Sequence, residues 1–118
     1  MVKTTEDLAK LVVKAAEDKK AEKLLVMDIT NLSTIADYFI ICHGNNERQV
    51  QAIVREIRDQ AHKAGYDIRG IEGENEGRWV LVDLRDVVVH VFHKEEREFY
   101  NIERLWNDAP YVNFSEQA

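Results

Sequence analysis

The sequence predicts a single α/β (α+β) domain, a mixed β-sheet of about five strands with flanking helices. Three observations carry that prediction. Residues 8–16 and 50–61 repeat their apolar side chains at helical spacing, whereas residues 24–29, 38–42, 79–84 and 87–92 are short runs rich in β-branched and aromatic types. The chain has 118 residues, 45% of them hydrophobic, which suits one domain and leaves no room for two. A domain of that size removes roughly two-thirds of its unfolded surface from water and sustains one core without cross-links.

Each element has a local reason. Leu8, Leu11, Val12, Ala15 and Ala16 form the stripe of a first helix. Thr4 or Thr5 caps it, Glu6 and Asp7 sit in the first turn where the dipole favours anions, and Lys19 and Lys20 near its end place the stop at residues 20–22. Residues 24–29 have the length of a strand and lead into the polar stretch 30–34. Residues 38–42, Tyr-Phe-Ile-Ile-Cys, are apolar on both faces, as an interior strand covered on both sides requires. Asn45 or Asn46 then caps a second helix, with Gln49 in capping-box spacing, a stripe of Val50, Ile53, Val54, Ile57 and Ala61, and Gly65 as the stop.

Residues 66–71 read as a weak strand, 72–78 as an acidic, glycine-containing loop, and 94–106 as a closing helix with Phe99, Ile102, Leu105 and Trp106 on its apolar side. The strand–helix–strand unit over residues 38–71 crosses over right-handedly and pairs in parallel or spans an intervening strand. The domain occupies residues 1–110. Residues 111–118 are a tail, and the stretch 107–118 is polar apart from Tyr111, Val112 and Phe114, which fold back or fray.

The strands at 79–84 and 87–92 say more than fold. With Arg85-Asp86 as a two-residue hairpin loop, Leu84 opposes Val87 and the register runs outward from there. One face is then Val80, Val82, Leu84, Val87, Val89 and Val91, all aliphatic and hence core. The other pairs Trp79 with Phe92, Leu81 with His90, and Asp83 with Val88. Buried faces rarely hold an Asp and a His without partners, and solvent faces rarely hold Trp, Leu and Phe in a row. Two readings stand at this point: a partner-binding patch, since aromatic anchors with a few polar groups compose an interface core, or a face buried under the last helix.

Composition narrows the partners. A formal net charge of -6 argues against a general nucleic-acid binder or an anionic membrane surface, and favours a macromolecule that is basic at the contact. Lys19, Lys20 and Lys23 cluster only at a helix end, where solvation accounts for them. No apolar run reaches the roughly 20 residues that span a bilayer, and the start of the chain lacks a signal-peptide core, so the expected location is the cytoplasm. The single cysteine, Cys42, lies in an apolar run and reads as a small buried hydrophobe.

Tests for catalytic chemistry return little. His43, His62, His90 and His93 form no metal-ligand pair at helical spacing, and no metal or cofactor is expected. Gly44-Asn45-Asn46 looks like a phosphate-binding turn, but leaving a strand and capping a helix requires the same residues. Glu95 and Glu96, with Glu98 nearby, suit the first turn of the last helix. Asp83 and Asp86 flank the hairpin turn beside Asp37 and define the rival reading, a metal-dependent nucleotidyltransferase-like enzyme. No Gly-Ser turn followed by an Asp-x-Asp strand accompanies them, so no catalytic residue is assigned and the chain is expected not to be an enzyme.

Three segments together resemble the Iojap family, the ribosomal silencing factors: residues 36–44 (Ala-Asp-Tyr-Phe-Ile-Ile-Cys-His-Gly), Gly73 with residues 79–83 and 86–92, and residues 97–106. The resemblance covers about residues 5 to 110. It implies a mixed α/β domain similar to nucleotidyltransferases without their active-site residues. It also implies binding to the large ribosomal subunit through its protein number fourteen, a block on joining of the small subunit, and repressed translation in starvation or stationary phase. Family members self-associate, which makes a second copy a further partner, and direct RNA contacts beyond incidental ribosomal ones are not implied. Trp79 matches the family's most telling contact residue; Leu81, Asp83, His90, Phe92, Arg97 and Tyr100 carry over beside it, with most of the affinity expected from Trp79 and Phe92. Arg85 stands where many relatives carry glycine.

Overall fold

Helix α1, Thr5–Asp18, begins where Thr4 accepts the Asp7 N–H at 3.1 Å and the Asp7 carboxylate returns to the Thr4 N–H at 3.3 Å, a reciprocal cap. The computed structural model describes residues 4–32, 34, 36–96 and 112. The helix stops earlier than residues 20–22 because Lys20 takes φ 62°. Its N–H reaches the Glu17 carbonyl while that of Ala21 reaches Ala16, a Schellman ending with lysine in the left-handed position. α2, Glu47–Lys63, ends in the same hydrogen bonds around the expected glycine: Gly65, at φ 85°, donates to His62, and Tyr66 donates to Ala61.

The strands are β1 (Glu22–Asp28), β2 (Tyr38–Gly44), β3 (Gly70–Glu72), β4 (Trp79–Asp83) and β5 (Val87–His93). They form one mixed sheet in the order β1-β2-β5-β4-β3, in which only β2 and β5 pair in parallel. The crossover from β2 through α2 therefore lands three positions away, with two strands between, farther than the neighbouring or once-removed position expected, because the β4–β5 hairpin inserts between. β1 starts two residues early, with a register irregularity between Glu22 and Leu25 and Lys23 at φ 47°. Residues 94–96 are helical, and the remainder of the expected closing helix lies outside the described residues. Of the tail, Val112 folds back: its N–H donates to the Val26 carbonyl at 2.8 Å and its side chain packs on the main core.

Both helices pack on one face of the sheet, against the six aliphatic residues of the hairpin together with Val26, Ile40 and Cys42. Each of those six is at most 3% exposed, so the aliphatic face is core throughout. A smaller cluster lies on the opposite face: Met27, Ile29, Ala36, Phe39, Ile41 and Phe92, with Val88 against it. The interior strand β2 supplies both clusters, which accounts for its lack of a polar side.

Candidate protein-docking face

The hairpin register places every pair where the alternation puts it: Trp79 opposite Phe92, Leu81 opposite His90 and Asp83 opposite Val88. The Leu84 N–H donates to the Val87 carbonyl at 3.0 Å across the turn. Arg85 has φ 73° and the Asp86 N–H donates to the Leu84 carbonyl at 3.1 Å, a γ-turn centred on Arg85 in a backbone region that favours glycine. Asp83 Oδ1 accepts the Arg85 N–H at 2.9 Å and steadies that turn.

The loop leading to Trp79 is fixed from α2. Gln51 donates to the carbonyls of Glu74 and Asn75, and Arg58 grips both carboxylate oxygens of Glu74 at 3.2 and 3.0 Å. Gly73, at φ 81°, passes so close to the strand that a Cβ there would lie 2.3 Å from the Trp79 carbonyl oxygen. Arg78 binds Glu47 at 3.0 Å, Glu95 at 3.1 Å and Glu96 at 2.7 Å, which raises its already high pKa. Glu47 is held below its usual range, first by its own backbone N–H and then by Arg78. One guanidinium against three carboxylates leaves this corner with excess negative charge.

The indole rests on a column of rings. Its centroid lies 5.2 Å from that of Phe92 in a stacked arrangement, and its Nε1–H donates to His90 Nδ1 at 2.9 Å. His90 in turn lies 6.0 Å from Phe92 and 4.6 Å from Phe39. Accepting through Nδ1 requires a neutral imidazole, and burial enforces that by lowering the His90 pKa to about 4. Among the described residues, Leu32 and Trp79 are the large hydrophobic side chains left exposed, Trp79 at 38%.

The face thus divides along the sheet. Its β4 half is open, with Trp79 exposed and Leu81 and Asp83 half-buried. Its β5 half is closed: Phe92 is 0% and His90 7% exposed, whereas Val88 is half-buried. Exposure therefore differs between the two strands, and the part of the last helix expected to cover this face lies outside the described residues. Phe92, expected to share the affinity with Trp79, has no accessible surface; its place is beneath the indole, because β5 lies between β2 and β4. Arg97 and Tyr100 lie outside the described residues.

Asp37 and Asp86 meet through their main chains, and of the rival reading's carboxylates that of Asp83 has its partners within the fold. The Asp86 carbonyl accepts the N–H groups of Asp37 and Tyr38, and Asp83 pairs with Arg69 at 3.9 Å in addition to its turn bond. Among the described residues no group of three His, Cys, Asp or Glu side chains converges to hold a metal ion. The Gly44-Asn45-Asn46 turn is consumed by structure. Asn46 caps α2, and Gln49 accepts from the Asn45 N–H and donates to the Lys19 and Lys20 carbonyls, tying the start of α2 to the end of α1. Sequence reasoning missed Arg78, whose only signal was a lone cation in an acidic loop beside the tryptophan. It also assigned Glu95 and Glu96 to the helix dipole alone. No helix among the described residues is long and apolar enough to cross a membrane.

Comparison with known proteins agrees with the fold. The model of the family described as "Ribosomal silencing factor during starvation" matches residues 2–118. Ribosomal silencing factor RsfS of Bacillus subtilis (strain 168) is 56% identical over 106 residues, 90% of each chain. The chloroplastic protein Iojap of Zea mays is 32% identical over 96 residues, 81% of this chain and 42% of that protein. A crystal structure from Bacillus halodurans, 49% identical, superposes with a TM-score of 0.83 over 92% of this chain and 99% of the other. The chain belongs to the ribosomal silencing factor family.

Proposed function

We propose that this protein represses translation by docking on the large ribosomal subunit, through its protein number fourteen, and occupying volume that the small subunit must enter. The observation that carries the reading is an exposed indole, stacked on a buried ring, at the open half of a sheet face that mixes apolar residues with Asp83 and His90. A central aromatic anchor with a half-buried leucine and carboxylate beside it has the make-up of an interface core. The excess of carboxylates around Arg78, together with the net charge of -6, suits a basic ribosomal protein. Leu81 and Asp83 extend the contact along β4, His90 and Phe92 act from beneath, and the family resemblance adds Arg97 and Tyr100 as contact residues.

No covalent chemistry is needed, since exclusion of a subunit follows from occupancy, and the site of action is the cytoplasm. Replacing Trp79 by alanine should cost roughly 2 kcal/mol or more of large-subunit affinity, a loss of about thirtyfold. Binding of the purified variant to isolated large subunits, compared with the unaltered protein, tests this. Unchanged affinity in a folded variant rejects the assigned face.

A further inference from the structure

We propose that His90 is a positioning residue for the docking face: by accepting the indole N–H of Trp79 it fixes the ring before any partner arrives. The inference rests on the docking reading and specifies how the anchor is built. A tryptophan at the exposed start of a strand would ordinarily choose among rotamers and donate its one polar hydrogen to water. Here that hydrogen points inward, 2.9 Å from His90 Nδ1, while the ring stacks on Phe92. Hydrogen bond and stack constrain the indole about different axes, so together they hold one orientation.

Two consequences follow for recognition. The indole offers a partner only carbon edges and a π face, because its N–H is spent within the fold. The group that suits it is an aliphatic stem or a guanidinium or ammonium laid over the ring, in keeping with the net charge of -6. An anchor already held in its bound orientation also gives up less conformational freedom on association.

Space filling does not explain the residue. His90 sits between Ile41 of β2 and Leu81 of β4, where an aliphatic side chain would fill the volume without desolvating an imidazole. At 7% exposure it has little surface to give a partner directly, so its influence passes through Trp79.

The test uses the full chain, labelled with nitrogen-15, with His90→Leu to remove the acceptor and His90→Asn to restore one at a similar reach from the backbone. The Trp79 indole signal, assigned by its loss in Trp79→Phe, should exchange slowly with solvent in the unaltered protein and in His90→Asn, and rapidly in His90→Leu. Affinity for isolated large ribosomal subunits should fall about fivefold in His90→Leu and return in His90→Asn. An indole N–H in the unaltered protein that exchanges as fast as free tryptophan overturns the proposal without recourse to any variant. So does equal affinity across the three proteins, or an asparagine variant no better than the leucine one. If Trp79→Ala retains full affinity while the indole signals behave as described, the docking reading fails and the positioning role falls with it; the hydrogen bond alone survives.

Discussion

Acid should destabilise this fold through His90, and the size of the effect follows from its environment. Burial lowers the His90 pKa from 6.5 to about 4, so the folded protein keeps the imidazole neutral where the unfolded chain protonates it. With a depressed folded pKa the unfolded state binds more protons, and the contribution is whole above pH 6.5, shrinks as pH falls, and is lost towards pH 4. At pH 5 the unfolded group lies 1.5 pH units below its pKa, and at about 1.4 kcal/mol per unit the loss is about 2 kcal/mol. The assay is chemical denaturation at pH 7 and pH 5 for the unaltered protein and for His90→Asn, which keeps an acceptor for Trp79 but does not titrate. The unaltered protein should lose about 2 kcal/mol more than the variant between the two pH values. Equal losses would refute the reasoning, since they would mean that His90 is either protonated in the fold or open to water.

Other substitutions probe the supports of the site. Gly73→Ala places a Cβ against the Trp79 carbonyl at a left-handed φ, so unfolding free energy should drop by about 2 kcal/mol or more and large-subunit binding should weaken with it, read by denaturation and cosedimentation. Lys20→Gly relieves the left-handed lysine that ends α1 and should raise stability by about 1 kcal/mol, seen as a higher Tm, with docking unchanged. Asp83→Asn combined with Asp86→Asn should leave magnesium–nucleotide binding, measured by calorimetry, indistinguishable from the unaltered protein; nucleotide binding lost on substitution would revive the transferase reading.

Much of the fold and half of the site were legible because alternation reports which side of a strand faces the core. Six aliphatic residues at period two determined the hairpin register, and Asn46 with Gly65 bounded α2 by local chemistry. Alternation does not report where a strand stands within its sheet. Trp79 and Phe92 share a face, yet β5 is flanked by β2 and β4, and its aromatic is buried while the tryptophan at the start of β4 is open. The end of α1 was obscured because lysine occupies a position that glycine usually marks. The crossover was underestimated because strand order depends on packing between distant segments. Arg78 escaped notice since its three carboxylates come from α2 and from residues after β5, far apart in the chain.

The most direct measurement is sedimentation of isolated large subunits through a sucrose gradient with the purified protein, followed by addition of small subunits. The unaltered protein should travel with the large subunit and suppress formation of the paired ribosome, and folded Trp79→Ala should do neither. Suppression of pairing by Trp79→Ala as strong as that by the unaltered protein would contradict docking through this face.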